Sequence, residues 1–158
     1  MTRQSIYGDG PWHEQSESLR LRARVFERTP EQMLSGRLLE FAPGAPPDRL
    51  HMHYGIQEMF FVLSGTPALH TADGEERLAP GDVVQCPEGR PGLHTFSNPG
   101  EEPARLIAVS ARRTPELLVY PEEGVAWVAT RNPDFPPPAE GDPGMIARFE
   151  FPPEPASG

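Results

Sequence analysis

The stretch GAPPDRLHMHYGIQEMFFVLSG, residues 44–65, decides how this chain folds and what it can bind. His51 and His53 are separated by one residue, and alternate residues on a strand face the same way. Both imidazoles are therefore expected to project toward one point. A turn is predicted at residues 54–57, after which a new strand starts with Glu58 and brings a carboxylate back across from the histidine pair.

A second stretch, GDVVQCPEGRPGLHTFSN at residues 81–98, supplies another imidazole. In it, a strand and a turn rich in Pro and Gly lead to His94. One such histidine alone would usually be a surface or hydrogen-bonded side chain. Three imidazoles and one carboxylate on a barrel pattern suit a divalent transition metal. The sequence therefore predicts a metal site formed by His51, His53, Glu58 and His94.

Short apolar runs separated by turn residues continue along most of the chain, which is typical of an antiparallel sandwich or barrel. About nine strands and no helix are predicted. These strands cover residues 19–27, 34–42, 59–63, 67–72, 75–79, 82–86, 104–111, 116–121 and 125–130.

Composition divides the chain of 158 residues into an N-terminal arm at 1–18, one barrel domain at 19–131 and a tail at 132–158. The tail holds eight of the 21 prolines and is expected to be extended and partly disordered. Within it, MIARFEF at 145–151 keeps apolar residues and is expected to dock as a strand. Docking on its own barrel and docking on a neighbouring subunit fit the sequence equally well.

The charge of the chain excludes several functions. A formal net charge of −9 would repel phosphate backbones, so no nucleic-acid partner is expected. The absence of Lys excludes Schiff-base chemistry and a P-loop lysine. A lone Cys86, interpreted as a buried inert thiol, and an N-terminus without an apolar signal predict a cytoplasmic location. No apolar stretch approaches a membrane span, so no membrane partner is expected either.

The two histidine-bearing stretches resemble the paired signature motifs of the cupin superfamily. The first motif runs Gly, His-x-His, Glu and Gly, and the second runs Gly, Pro-x-Gly, His and Asn. Two spacers are longer than usual, before His51 and before His94, and both insertions fall in loops. The matching residues are Gly44, His51, His53, Glu58 and Gly65, followed by Gly81, Pro87, Gly89, His94 and Asn98.

This resemblance implies an all-β fold, the double-stranded β-helix or jelly-roll barrel of cupins, in which the four predicted ligands occupy the family's metal positions. The later stretch PELLVYPEEGVAWV is similar to the end of a small group of single-domain bacterial cupins of the conserved-barrel type, and it identifies no substrate. Cupins of this size commonly pair, so a homodimer is expected.

The ligand set favours Fe, Mn, Ni or Co, because an octahedral ion with four protein ligands keeps two positions open, whereas a tetrahedral Zn would be saturated. Zn remains an alternative if Glu58 swings away. The inner sphere would carry a charge of about +1 and attract a small anionic or oxygen-rich molecule.

Four further residues are candidates for the pocket around the ion. Phe60, Val62 and Phe96 follow the ligands at a period of two and would form apolar walls, although core packing explains them equally well. Arg49 could clamp a substrate carboxylate, but a solvent-facing loop position is the preferred interpretation. His13 and His70 lack ligand spacing and are interpreted as non-ligands.

A metal-dependent enzyme is the leading functional hypothesis, with dioxygenase-type chemistry first by analogy of fold. Isomerisation or decarboxylation on the same fold is an alternative. A cupin that binds or senses a small molecule without turnover is the other, because no proton-transfer group can be assigned beyond the four ligands.

Overall fold

The computed structural model of this protein describes residues 3–26, 32–130 and 145–155. Within these ranges the chain forms eleven β-strands and one short 3-10 helix, Arg90–Gly92, and no helix is long and apolar enough to cross a membrane. The strands are β1 Glu14–Ser16, β2 Leu21–Val25, β3 Leu34–Phe41, β4 Met52–Ser64, β5 Ala68–Thr71, β6 Gly74–Arg77, β7 Val83–Cys86, β8 Thr95–Ser97, β9 Ala104–Tyr120, β10 Val125–Ala129 and β11 Met145–Glu150.

The strands form two antiparallel sheets. The larger sheet has the order β1-β2-β3-β9-β10-β11, with β4 on the other side of β9 and β7 beyond it, and the smaller sheet has the order β6-β5-β8. Isolated bridges between Ala45 and Asn98 and between His51 and His94 connect the sheets, although the hydrogen-bond ladder does not close into a continuous barrel within the described ranges. The fold is the all-β jelly roll that the sequence predicts.

The predicted turn at residues 54–57 is wrong. β4 is one strand of 13 residues that runs through this segment. Its register with β9 shifts between Tyr54 and Ile56, and Gly55 adopts a φ of 87°, a backbone conformation that glycine reaches without strain. A bulge at Gly55 therefore replaces the turn, and His53 and Glu58 lie on the same strand.

The predicted break between residues 111 and 116 is also absent. β9 continues for 17 residues across Pro115. The pairing with β4 passes from Ile56 opposite Arg112 to Tyr54 opposite Leu117, so Pro115 falls within the irregular stretch. A proline is tolerated there because a bulge frees the strand from donating a ladder hydrogen bond.

Both ends of the chain add strands to the larger sheet. β1, from the predicted N-terminal arm, pairs with β2, and β11 pairs with β10 of its own chain along Val125–Ala129. The tail segment thus docks on its own barrel. The Pro-rich residues 132–144 lie outside the described residues, and the domain boundaries stay predictions.

The main hydrophobic core lies between the sheets and supports the histidine-bearing end. It is built from side chains that recur at a period of two on β3, β4 and β9, and from Leu69 and Phe96 of the smaller sheet. Burying each large apolar side chain contributes about 1.5–3 kcal/mol. Phe60 belongs to this core and contacts the ring of His94, with centroids 5.2 Å apart, so the core fixes one wall of the site.

Candidate metal centre

The predicted ligands come from three places in the chain that the sheets bring together. His53 and Glu58 lie on β4, while His51 and His94 lie immediately before β4 and β8. A two-way backbone bridge sets His51 opposite His94: the N–H of His51 donates to the carbonyl of His94 at 3.1 Å, and the reverse bond is 2.9 Å. The imidazole centroids of this pair are consequently 4.7 Å apart.

Three of the four predicted ligands form a compact group, and His94 contacts it through Glu58. Candidate ligand atoms of His51, His53 and Glu58 all lie within 4.8 Å of one another. Glu58 Oε2 is 3.3 Å from His53 Nε2 and 3.5 Å from His94 Nε2, so His94 joins the group through the carboxylate. This group could hold a metal ion, and the assignment of each member as a ligand stays a prediction.

Each histidine is oriented through its Nδ1 atom. Nδ1 of His51 is 2.9 Å from the carbonyl oxygen of Arg49, and Nδ1 of His94 is 2.8 Å from that of Gly92. Nδ1 of His53 is 2.7 Å from the Glu116 carboxylate on β9. These contacts make Nδ1 the hydrogen-bond donor in each ring and leave Nε2 as the available ligand atom.

The charges of the group are set by burial and by its own members. Burial, followed by the neighbouring His94, lowers the pKa of His51 to about 4, so this ring is neutral at pH 7. Burial also opposes charge on His53, but the hydrogen bond with Glu116 and the nearby Glu58 carboxylate outweigh it and raise the pKa of His53 to about 9. Burial opposes charge on Glu58, but the nearby imidazoles of His53 and His94 overcome it and hold the pKa of Glu58 well below its usual range.

The donor atoms fit a divalent ion. His53 Nε2 is buried without a hydrogen-bond partner among the described residues, although it faces the Glu58 carboxylate. Ser110 on β9 donates to Glu58 Oε1 at 2.8 Å, which leaves Oε2 toward the histidines. A buried nitrogen without a partner is costly, and a bound cation would satisfy it and the carboxylate oxygen together.

A cavity of about 280 Å³ adjoins the group. Of the predicted pocket residues, Phe60 and Phe96 line it, whereas Val62 packs in the core. Arg49 lies at the surface, with its guanidinium 4.0 Å from the ring centroid of Tyr120 and 3.3 Å from Glu123. The remaining lining residues are Leu21, Arg37, Leu39, Phe41, Asp48, His51, His53, Glu58, His94, Thr95, Ala108, Leu118 and Tyr120.

Several polar groups of the site are not predicted by the sequence motifs. Glu116 and Ser110 contact the predicted ligands, while Asp48 and Tyr120 line the cavity. Burial raises the pKa of Tyr120, so its hydroxyl keeps its proton at neutral pH. The positions of Ser110, Glu116 and Tyr120 follow from the pairing of β9 with β4 and β10, for which the local sequence carries no signal, whereas Asp48 lies in the loop before β4.

Three other residues with reactive side chains are engaged elsewhere. His70 Nε2 is 2.7 Å from Ser97 Oγ, and His13 Nδ1 accepts a hydrogen bond from the N–H of Val25 at 3.1 Å. Cys86 is buried opposite Glu58 on β7, and burial, followed by that carboxylate, raises the pKa of its thiol to about 12. The thiol is thus neutral and inert, as the sequence predicts.

Comparison with known proteins gives one family match. Residues 37–110 match the model of the cupin domain family. A search among curated proteins gives no match to this chain.

Solved structures with the same fold include two with related names. A protein of Acidithiobacillus ferrooxidans, provisionally named a sugar phosphate isomerase, is 26% identical with a TM-score of 0.57, over 61% of this chain and 62% of its own length. This chain thus matches less than two thirds of that protein. A sugar phosphate isomerase from a cupin superfamily, from Silicibacter pomeroyi, is 23% identical with a TM-score of 0.68, over 88% of this chain and 83% of its own.

A third similar structure is a cupin 2 conserved barrel domain protein from Salinispora arenicola. It is 23% identical with a TM-score of 0.55, over 70% of this chain and 87% of its own. At this level of identity the likeness concerns the fold.

Proposed function

Because residues 37–110 match the cupin domain family, we propose that the cavity of this chain is the active site of a metal-dependent enzyme that acts on a small anionic, oxygen-rich molecule. The observation that carries the proposal is the buried Nε2 of His53, which has no hydrogen bond among the described residues and lies 3.3 Å from the Glu58 carboxylate beside a cavity of about 280 Å³. A cavity of this kind, mostly apolar with a few convergent polar groups, is typical of sites for small molecules.

His51, His53, Glu58 and His94 would hold the ion. Mixed nitrogen and oxygen donors favour Fe, Mn, Ni or Co, with Zn as the alternative. The bound ion would supply Lewis-acid stabilisation of negative charge on a substrate oxygen. The chain itself orients the ligands through Glu116 and Ser110.

Two groups of the cavity can serve proton transfer. Tyr120 carries a hydroxyl that stays protonated at neutral pH, and its ring centroid is 5.9 Å from that of His51. Asp48 lies at the exposed edge of the cavity, with 48% of its side chain accessible to solvent. Phe60 and Phe96 line the inner wall and keep water away from the reacting atoms.

Isomerisation is the reaction that we propose first. It requires proton transfer between neighbouring carbons or oxygens, for which Tyr120 and Asp48 are placed in the cavity. The name of the 26% identical relative, a sugar phosphate isomerase, supports the same class. Dioxygenase-type chemistry, the first hypothesis from the sequence, stays the second candidate because a three-histidine, one-glutamate set leaves an octahedral ion two open positions.

Elemental analysis tests whether the site holds a metal. Tag-free wild-type protein is compared with His51→Ala and with His70→Ala, a histidine variant outside the group. We expect about one ion per chain in the wild type and in His70→Ala, and little or none in His51→Ala, because one donor is missing. A wild-type protein that holds no ion after incubation with Fe, Mn, Ni, Co or Zn would defeat the proposal.

Turnover is measured next on the metal-loaded protein. We expect interconversion of a phosphorylated aldose and ketose without oxygen consumption, and loss of this activity in Tyr120→Phe. Oxygen uptake with a panel of small acids and diketones would favour the dioxygenase instead. Metal without either activity would favour a cupin that binds or senses a small molecule. The homodimer and the cytoplasmic location stay predictions, the former testable by light scattering.

A further inference from the structure

The cavity has one arginine among its described lining residues, and neither the sequence motifs nor the family match assigns it a role. Arg37 lies on β3, whose alternate residues Arg37, Leu39 and Phe41 all line the cavity. A long cationic side chain in an otherwise apolar row needs an explanation, because a Leu at this position would continue the core.

The sheet register places Arg37 within the span of a small molecule from the metal centre. Arg37 is opposite Ala108, and Ala108 is opposite Phe60, which lies two residues beyond Glu58 on β4. With strands roughly 4.8 Å apart and a rise of about 3.4 Å per residue, the backbones of Arg37 and Glu58 are about 12 Å apart. Both side chains extend toward the same cavity, so the gap that a ligand must span between them is shorter than the separation of the backbones.

The counterion of Arg37 is a surface residue. Its Nη1 atom is 3.3 Å from Glu14 Oε2 on β1, and the two side chains are 37% and 55% exposed. Exposed pairs of this kind are weak and screened by salt, so the carboxylate is easily exchanged for another anion. The other acidic group at the edge of the cavity, Asp48, accepts the backbone N–H of Arg49 at 2.7 Å.

We infer that Arg37 binds the phosphate or carboxylate end of the ligand while its oxygen-bearing end reaches the metal centre. The guanidinium suits this role because it presents two parallel N–H donors to the oxygens of such a group. Glu14 is then a placeholder that the ligand displaces. The inference rests on the proposed function for the metal anchor and adds the substrate class, an anionic molecule such as a sugar phosphate.

The test compares two probes that differ only in the anionic group. Calorimetry with metal-loaded protein measures the affinity for ribose 5-phosphate and for ribose. We expect the wild type to prefer the phosphate ester by about tenfold or more, the size of a hydrogen bond to a charged group. Arg37→Gln should abolish the preference, and Arg148→Gln, an exposed arginine on β11, should keep it.

Glu14→Gln provides a second variant, whose effect on the affinity for ribose 5-phosphate should be opposite to that of Arg37→Gln. Removing the competing carboxylate should tighten binding of ribose 5-phosphate by about two- to fivefold. A purely structural ion pair predicts no gain from this change, so the result discriminates even if Arg37→Gln fails to fold.

Two outcomes would overturn the inference. One is a wild type that binds ribose and ribose 5-phosphate equally or binds neither, and the other is an Arg37→Gln variant that folds, holds metal and keeps the preference. A wild-type protein that binds no metal ion but still prefers the phosphate ester through Arg37 would defeat the proposed function and keep the phosphate-binding role of Arg37.

Discussion

Two carboxylates with little exposure to solvent, one on each face of the larger sheet, are held in opposite ways. Glu40 faces outward on β3, where Arg22 Nε donates to Oε1 and Arg105 Nε donates to Oε2, both at 2.7 Å. Glu58 faces inward on β4, where Ser110 donates to Oε1 while Oε2 faces the Nε2 atoms of two histidines.

The difference separates a structural cluster from a functional one. Both oxygens of Glu40 are bound by guanidinium groups, which stay charged at every accessible pH. The histidine partners of Glu58 can lose their protons, and one of them, His53 Nε2, lies 3.3 Å from Oε2 without the geometry of a hydrogen bond. The outer cluster is therefore held by permanent charges, whereas the inner one is held by a proton on His53 that a metal ion can replace.

Replacing the inner carboxylate should have the largest effect. Glu58→Gln keeps the shape of the side chain but removes the charged ligand atom, so metal affinity should fall by more than the roughly 100-fold that the loss of a surrounding contact can cause. Metal titration by calorimetry measures the change. Glu40→Gln is the matched control, and an equal loss in both variants would break the distinction between the clusters.

Removing the carboxylate that orients His53 should have a smaller effect. Glu116→Gln retains a side chain of the same shape but weakens the bond to Nδ1, and metal affinity should fall by about 10–100-fold. The exposed Glu123, which pairs with Arg49, gives a control variant, Glu123→Gln, that should bind metal as the wild type does. Unchanged affinity in Glu116→Gln would show that the backbone alone positions the ring.

Acidity should act on the inner cluster. The pKa of His53 is raised to about 9 without metal, so an ion must displace a proton at neutral pH. Apparent metal affinity should therefore fall by about tenfold when the pH is lowered from 8 to 7. The same raised pKa stabilises the metal-free fold fully below pH 6.5, and this contribution is lost as the pH rises through about 9.

A pH titration of metal binding, followed by proton release in two buffers of different ionisation enthalpy, measures this effect. An affinity independent of pH between 7 and 8 would contradict a protonated His53.

The outer cluster should affect stability alone. Glu40→Gln should lower the free energy of unfolding by about 1–2 kcal/mol, because Arg22 and Arg105 are partly exposed and water takes over much of the lost interaction. Urea denaturation measures the loss, and metal content should not change. A metal defect in this variant would mean that the two faces are coupled through β3.

The candidate ligands could be proposed from the sequence because most of their spacing is local. His51 and His53 are two residues apart, Glu58 follows within one strand, and His94 ends a recognisable Gly-rich turn. Sequence reasoning placed the four side chains together through a turn that does not exist. The bulge at Gly55 shifts the register of β4 and keeps Glu58 beside His53, so the cluster of His51, His53 and Glu58 forms without that turn.

The surrounding contacts were not accessible. Glu116, Ser110 and Arg37 reach the site only through the registers of β9 with β4 and of β3 with β9. The register between two strands is set by the packing of whole sheet faces and by bulges. A short apolar run is compatible with several registers, so its sequence alone does not determine one. The break predicted at Pro115 failed for the same reason. A strand tolerates this proline only where the hydrogen-bond ladder is interrupted, and the local sequence does not show where that is.

The length of β9 has a consequence for how the protein matures. This strand pairs with β4 along one side and with β3 and then β10 along the other, so it joins segments far apart in the chain. Pairing such distant segments is slow, because the chain loses loop-closure entropy before the stabilising contacts form. Because Glu116 and Ser110 arrive with β9, the oriented histidines exist only after the sheet has closed. The chain should therefore fold before it binds the metal ion, and the ion should not nucleate folding.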